Sequence, residues 1–172
     1  MPVPYGSQRT PTAQWTATAA GCTILGSNGP GPYVTHVTCG RIVDKGIADA
    51  NNMGAAMAPA AYDTLSAFFR DTGYRPADFD LIITGDLGEL GHAIVRDFFQ
   101  RDGVDLGPQF QDCGLLLYDR KHQDMHAGAS GCGCSASVLN GYLLRKMREG
   151  TWKAVLFAPT GALLSPTSSG QG

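Results

Sequence analysis

Several features that would place this 172-residue chain in a common functional class are absent from its sequence. It carries 13 basic and 15 acidic residues, and the basic residues form no cluster. A nucleic-acid partner is therefore not expected, because such partners need a concentrated positive surface. No apolar run approaches the roughly 20 residues that span a bilayer. The first residues also lack the basic and apolar segments of a secretory signal, so we expect a soluble, intracellular protein.

Cysteine is scarce, and its spacing is uninformative. The five cysteines are odd in number and scattered, apart from one Cys-x-Cys pair: Cys22, Cys39, Cys113, Cys132 and Cys134. Without a secretory context these thiols are expected to be reduced. A single Cys-x-Cys pair also lacks the second pair of ligands that would make a zinc site convincing. We therefore expect no disulfide framework, no resident metal and no cofactor.

Glycine, in contrast, is abundant, and it concentrates in the stretch that organises the chain, residues 126–167. Of 172 residues, 23 are glycine, a number that favours tight turns around a site. Within this stretch a turn, Gly131-Cys132-Gly133-Cys134-Ser135, opens a predicted helix over residues 134–148. Small residues in such a turn leave backbone N–H groups uncovered, and a helix N-terminus attracts anions. The first hypothesis is therefore a cradle for an acid.

Periodicity predicts an α/β fold. Residues 1–14 are rich in proline and polar residues and are expected to be loop, with one domain over residues 15–172. Helices are predicted over residues 55–71, 91–102 and 134–148, with Asn51 or Asn52 as a cap for the first. Strands are predicted over residues 16–25, 33–42, 79–84, 114–118 and 153–158. The first two strands are expected to form an antiparallel hairpin, so that the sheet is mixed.

Two strand ends stand out as candidate sites, because open α/β sheets bind ligands where strands run into glycine turns. The predicted strand over residues 79–84 ends at Gly85-Asp86, and the strand over residues 153–158 ends before Thr160-Gly161. Asp86 is a candidate ligand-binding residue, with a capping or surface role as the ordinary alternative. His36 and His92 are isolated, and we interpret them as structural and not as bases.

The Cys132-Gly133-Cys134 sequence admits three interpretations. It could bind a metal together with His122 or His126. It could supply a nucleophilic thiol whose pKa the helix dipole lowers, given a base and an oxyanion hole. It could also be structural, with small residues that permit close packing and a backbone that binds a ligand. We favour the third interpretation.

Specific motifs carry a resemblance to a known family. They are MGAAMAPAAYDT, DLIITGDLGELG, QDCGLLLYD, AGASGCGCSA and TGALLSPT. The order of glycine turns resembles the C-terminal half of the thiolase superfamily, and the motifs resemble the stage V sporulation protein AD family within it. The similarity runs from Pro4 to Pro166. It implies a thiolase-like fold of which this chain forms about the second half, and such a half should expose an apolar face and self-associate as a homo-oligomer.

The resemblance also implies a function. In thiolases the two turns bear a catalytic histidine and a catalytic cysteine, but here Cys132 and Pro159 or Thr160 occupy those places. A neutral thiol is a poor base, and proline has no ionisable group. The resemblance therefore implies a thiolase fold reused for binding, with no catalytic residue. The family is associated with pyridine-2,6-dicarboxylic acid (dipicolinic acid) and its uptake into the developing spore, and with germination. An acyltransferase with a cysteine nucleophile is the alternative.

Further expectations concern charge, location and partners. No basic residue lies in either glycine turn. The positive charge for a dianion would therefore come from main-chain dipoles, from Arg41 or Lys45, from a calcium ion chelated by the ligand, or from the N-terminal half of the family's protein. The expected partners are dipicolinic acid and the other proteins of the SpoVA system of the spore, to which this family belongs. The resemblance implies a peripheral location on the cytoplasmic face of the forespore or spore inner membrane.

Overall fold

The structure, a computed structural model, describes residues 10–162 and 164. Its main helices are α1 (Met53–Thr72) and α2 (Gly88–Arg101), and its principal sheet contains β2 (Leu81–Thr84), β3 (Phe110–Asp112) and β5 (Val155–Ala158). The remaining elements are short: β1 (Trp15–Thr16), α3 (Cys113–Leu117), β4 (Ala129–Ser130), α4 (Cys132–Val138), a π-helical turn (Leu139–Leu143) and α5 (Leu144–Arg148). Residues 1–9 of the predicted N-terminal loop and the second half of the last family motif, apart from residue 164, lie outside the described residues.

The predicted helices are confirmed. Helix α1 begins after Asn52, whose side chain accepts a hydrogen bond from the Ala55 N–H (3.3 Å). It ends at Gly73, which takes the left-handed conformation (φ 75°) that favours glycine. Helix α2 begins at Gly88, three residues before its predicted start. The helix predicted over residues 134–148 begins at Cys132 and contains the π-helical turn between α4 and α5.

The α/β class is confirmed and is consistent with a thiolase-like fold. The principal sheet has the order β3-β2-β5, and β1 pairs with β4 in a second, two-stranded sheet. All of these pairings within residues 10–162 and 164 are parallel, although a mixed sheet was expected.

The predicted antiparallel hairpin is wrong. Of the first predicted strand only Thr16 pairs, within β1 (Trp15–Thr16), and it pairs with β4; the segment predicted as a strand over residues 33–42 forms no strand. β-branched residues favour an extended backbone, but a strand also requires a hydrogen-bonding neighbour. Within the described chain no strand pairs with residues 33–42.

The strand predicted over residues 114–118 is also wrong. The strand in this region is β3, which ends at Asp112, and the next five residues form α3. An apolar run of this length fits a strand or a buried helix equally well, and tertiary packing decides between them. Here Gly114 packs against β4, so closely that an added Cβ would lie 2.5 Å from the Ala129 carbonyl oxygen.

The core lies on both faces of the principal sheet. Alternate residues of β2 point to opposite faces, so Ile82 packs with α1 and α2, while Leu81 and Ile83 pack with α3 and α4. The first face also buries Met57, Leu65, Val95, Phe99 and Phe110. The second buries Cys113, Cys134, Val138 and Leu143. This packing fixes the helices relative to the carboxyl ends of the strands, where the candidate site lies.

Candidate functional site

The carboxyl ends of the three parallel strands meet at one edge of the sheet. Thr84 of β2 lies in register with Asp112 of β3 and with Ala158 of β5. The turns that follow therefore lie side by side: a Cβ added at Gly85 would lie 3.2 Å from both Pro159 Cα and Thr160 N. The structure thus brings together the two strand-end turns that the sequence singles out.

A fully buried carboxylate, Asp112, holds this edge together. Its Oδ1 accepts hydrogen bonds from the Thr84 hydroxyl (2.7 Å) and the Leu87 N–H (3.0 Å), and its Oδ2 accepts one from the Gly88 N–H (3.1 Å). It therefore satisfies donors at the start of α2, which cannot bond within the helix. Burial raises the pKa of Asp112, against the lowering effect of these hydrogen bonds. Sequence reasoning missed this residue. The signal that could have identified it was an acidic residue directly before an apolar run.

Asp86, the predicted site residue, is also buried, at 7% exposure. Its Oδ2 accepts a hydrogen bond from the Gly131 N–H (2.8 Å), so it joins the turn after β2 to the start of α4. The pKa of Asp86 is raised to about 6, chiefly by burial and partly by neighbouring Asp112, although the Gly131 hydrogen bond lowers it. Asp86 therefore anchors Gly131, the N-cap residue of α4, to the turn after β2.

The titration of Asp86 leads to a prediction about stability. Because the folded pKa (about 6) lies above the ordinary value of 3.8, the folded state holds this proton more tightly than the unfolded state. Its contribution to stability is present below pH 3.8 and is lost as the pH rises to about 6. Asp86→Asn should remove this loss. As the pH rises between those values, the free energy of unfolding of wild type should fall by up to about 3 kcal/mol relative to that of Asp86→Asn.

Urea unfolding across this pH range would measure the effect. Asp105 provides a matched control, because this exposed carboxylate also accepts a backbone hydrogen bond, from the Gly107 N–H (2.8 Å). Asp105→Asn should leave the pH profile of wild type unchanged. An identical pH profile for wild type and Asp86→Asn would contradict the assignment.

The glycine and cysteine turn is built for close packing. Gly131 takes a positive φ (99°), and a Cβ at Gly133 would lie 2.1 Å from the Ala19 carbonyl oxygen. Cys134 is buried, Ser135 is half-buried and Cys132 is exposed. The backbone N–H of Gly131, the first donor of the predicted acid cradle, is already bound to Asp86. An acid that used this N–H would have to displace the carboxylate of Asp86. It would also lie near the buried carboxyl groups of Asp86 and Asp112.

The thiols are poorly placed for nucleophilic chemistry. The pKa of Cys134 is raised to about 12, chiefly by burial and also by neighbouring Asp86 and Asp112. In the described part of the chain, exposed Cys132 forms no hydrogen bond to an imidazole. The imidazoles of His36, His92, His122 and His126 contact Thr35, Phe110, Asp119, and Thr10 and Asp124, respectively.

The second glycine turn lines a cleft of about 640 Å³, which we call the 40–48 cleft. Its lining includes Thr160 and Gly161 of that turn and residues 40–48, with Arg41 and Lys45 among them. Small side chains of α1 also line it: Ala56, Ala60 and Thr64. Sequence reasoning named both basic residues as possible charge partners, and they line the same cleft as the predicted turn.

Arg41 forms an ion pair with Asp63, which is not among the residues that line this cleft. Its Nε and Nη2 donate to the two carboxylate oxygens of Asp63, at 2.9 and 2.5 Å. The hydrogen bonds from Arg41 hold the pKa of Asp63 below its usual range. The pair uses one edge of the guanidinium, so further N–H donors are left for a ligand. Lys45 makes no ion pair within residues 10–162 and 164, whereas Asp44 adds an acid to the lining.

In the described part of the chain no group of three or more His, Cys, Asp or Glu side chains is placed to hold a metal ion. None of the helices in residues 10–162 and 164 combines the length and the apolar character that crossing a membrane requires.

Comparison with known proteins gives a consistent result. The family model for stage V sporulation protein AD (SpoVAD) matches residues 1–172. Stage V sporulation protein AD of Bacillus subtilis (strain 168) is 43% identical over 166 residues, which cover 96% of this chain and 49% of that protein. The chain thus spans about half the length of the curated relative that it matches.

Proposed function

Because the chain belongs to the stage V sporulation protein AD family, a family of sporulation proteins, we propose that it forms part of a protein that binds dipicolinic acid for uptake into the developing spore. The same protein would act again in germination. The chain binds its ligand without catalysing a reaction. The observation that carries this proposal is the 40–48 cleft, which Arg41 and Lys45 line together with the turn after β5.

The chemistry of the cleft suits a small planar dicarboxylate. Arg41 and Lys45 can donate charge-assisted hydrogen bonds to carboxylate oxygens. The alanine side chains of α1 leave room for a flat ring, and pockets of several hundred cubic ångströms typically hold molecules of this size. Thr160, which is half-buried, also lines the cleft, where its backbone and that of Gly161 can complete the site.

Electrostatics favour this cleft over the turn at Gly131–Ser135. The turn has a helix N-terminus, but its first N–H is bound to Asp86, and Asp112 lies close enough to raise the pKa of Asp86. A dianion there would lie beside two buried carboxyl groups, whose ionised forms would repel it in a poorly screened environment. In this proposal Gly131, Cys132, Gly133, Cys134 and Ser135 position α4, and Gly85 and Asp86 join that helix to the lining of the cleft.

The acyl-transfer alternative receives no support from the geometry. A cysteine nucleophile needs a thiolate and a base in hydrogen-bonding reach. Cys134 is buried with a raised pKa, and the histidine contacts lie elsewhere. A measurement of acyl-CoA turnover tests this point, because turnover that Cys132→Ser abolished would overturn a binding-only function.

The partners and the location form part of the same proposal. The protein would act with other SpoVA proteins at the cytoplasmic face of the forespore or spore inner membrane, as a peripheral component. It would bind dipicolinic acid as the free acid anion or as its calcium chelate. Fractionation of sporulating cells, with and without those partners, would test the location.

Removal of the two basic residues should weaken ligand binding. Arg41→Ala combined with Lys45→Ala should weaken the binding of dipicolinate by at least about 100-fold, because charge-assisted hydrogen bonds contribute about 1.5–3 kcal/mol each. Isothermal titration calorimetry measures this effect directly. Arg148→Ala combined with Lys153→Ala removes the same charge from exposed positions outside the cleft and should bind like wild type.

Three outcomes would count against the proposal. Absence of heat at millimolar dipicolinate would reject binding by this chain. An equal loss in both double variants would reduce the effect to net charge and reject the cleft. Binding that is unchanged in the Arg41 and Lys45 variant but lost in Cys132→Ala would return the site to the turn at the start of α4.

A further inference from the structure

The segment that brings Arg41 and Lys45 to the 40–48 cleft has few contacts that fix its position. Residues 40–48 form no helix or strand. Within residues 10–162 and 164 they take part in no backbone-to-backbone hydrogen bond, and the Gly46 N–H donates to Asp44 Oδ1 (2.7 Å), inside the same segment. A ligand of Arg41 and Lys45 would therefore have to order this segment, at a cost in affinity, unless another contact holds it.

One carboxylate of α1 provides that contact. Asp63 accepts hydrogen bonds from Nε and Nη2 of Arg41 (2.9 and 2.5 Å). In the described part of the chain these are the only hydrogen bonds that join residues 40–48 to another element. Asp63 itself lies on a rigid support, because Ala61 and Leu65, two residues to either side of it in α1, are fully buried.

The same contact fixes the orientation of the guanidinium. Two parallel hydrogen bonds to one carboxylate define the plane of the group, whereas a single bond would let it turn. Nη1 of Arg41 takes no part in the pair and keeps both of its N–H donors. Asp63 does not line the cleft, so it does not take the space of a ligand. One edge of Arg41 is thus held by the fold while further donors remain for an anion.

The charge of Asp63 acts in the opposite sense, because a carboxylate repels a dianion. The hydrogen bonds from Arg41 hold the pKa of Asp63 below its usual range, so this carboxylate is ionised at neutral pH. The side chains of Arg41 and Asp63 are 76% and 27% exposed, so water and salt screen the repulsion. Screening does not alter the geometry that the two hydrogen bonds impose. Geometry and charge therefore have to be separated by experiment.

We propose that Asp63 is a positioning residue for the ligand of the 40–48 cleft. It holds the Arg41 guanidinium, and with it residues 40–48, in the arrangement that binds a dicarboxylate. An arginine side chain that is already held loses less freedom when the ligand binds, so the affinity is higher. This inference rests on the proposed function, and it adds a residue that acts on the ligand only through Arg41.

Two neutral variants separate the geometry from the charge. Asp63→Ala and Asp63→Asn remove the same charge, but asparagine keeps a carbonyl oxygen that can accept a hydrogen bond from Arg41. In isothermal titration calorimetry Asp63→Ala should therefore bind dipicolinate about 3- to 10-fold more weakly than Asp63→Asn. In an Arg41→Ala background the two substitutions should give equal affinities, because no guanidinium is left to position.

Asp71 provides the matched control. It is a carboxylate of the same helix that pairs with Arg70 (2.9 Å) and does not line the cleft. Asp71→Ala and Asp71→Asn should therefore bind dipicolinate alike. Urea unfolding should also agree between Asp63→Ala and Asp63→Asn, because exposed ion pairs contribute little to stability.

Trypsin tests the contact without a ligand. Cleavage after Lys45 should be faster in Asp63→Ala than in Asp63→Asn, because residues 40–48 lose their hydrogen bonds to α1 and open more readily. Mass spectrometry of the fragments identifies this cleavage site. Equal cleavage rates in the two variants would overturn the proposal.

The calorimetric outcomes distinguish this inference from the proposed function. If wild type binds dipicolinate and the two Asp63 variants have equal affinities, the positioning role is wrong and the proposed function stands. A difference that persists in the Arg41→Ala background, or that also appears between the Asp71 variants, would likewise overturn the positioning role. If wild type binds no dipicolinate, the proposed function falls and the positioning role falls with it.

Discussion

Asp112→Ala is expected to lower the free energy of unfolding by about 3–5 kcal/mol, the range typical for breaking a buried polar network. The substitution removes the acceptor of the Leu87 and Gly88 N–H groups, which are buried at the start of α2. It also removes the acceptor of the Thr84 hydroxyl. Within residues 10–162 and 164 the two backbone donors have no other hydrogen-bond acceptor, so their desolvation is left uncompensated.

Urea unfolding at neutral pH would measure this loss. Asp97→Ala is the control, because Asp97 is an exposed helical carboxylate paired with Arg101 (2.7 Å). Exposed pairs contribute about 0–1 kcal/mol, so this variant should unfold close to wild type. A loss below about 1 kcal/mol for Asp112→Ala would show that water or a rearranged turn satisfies the donors.

Gly54→Ala should destabilise the fold by at least about 3 kcal/mol, because it separates two helices that touch through their backbones. A Cβ at Gly54 would lie 2.3 Å from the Leu87 carbonyl oxygen. A Cβ at Gly91 would in turn lie 2.7 Å from the Gly54 carbonyl oxygen. Both contacts are with backbone atoms, which cannot move aside as a flexible side chain can, so α1 and α2 would have to shift apart.

A second glycine allows the same substitution without the contact. Gly141 lies in the π-helical turn, and a Cβ there would meet nothing within 4 Å. Gly141→Ala should therefore raise the free energy of unfolding by up to about 1 kcal/mol, because alanine loses less backbone entropy in a helix. Thermal or urea unfolding compares the two variants. Equal effects of the two substitutions would contradict the close approach of α1 and α2.

The 40–48 cleft shows how far sequence reasoning reached into the site. The sequence located the turn at Thr160 and Gly161, because a strand that ends in a glycine turn is a general ligand-binding feature. It also named Arg41 and Lys45, but only as two of several possible charge partners. Their position in the same cleft as that turn depends on the path of an irregular segment more than 100 residues earlier, and no periodicity specifies such a path.

The two buried acids show a different limit. Asp86 was identified because it follows a strand, yet its partner, Gly131, lies 45 residues away in sequence. Asp112 was missed because it precedes an apolar run that was interpreted as a strand. Its role appears only when β2 and β3 pair in register, which places its carboxylate at the start of α2.

The sequence by itself determined the α/β class, the three main helices with the Gly73 boundary of α1 and Asn51 or Asn52 as its other boundary, the strands near residues 81–84 and 155–158, and the family. These features depend on local periodicity, on capping residues and on motifs of adjacent residues. Only the tertiary structure decided that residues 18–40 remain unpaired, that residues 113–117 form a helix, and that Asp86 binds the N–H group proposed for an acid. The physical reason is that strand pairing, burial and carboxylate partners depend on contacts between distant segments.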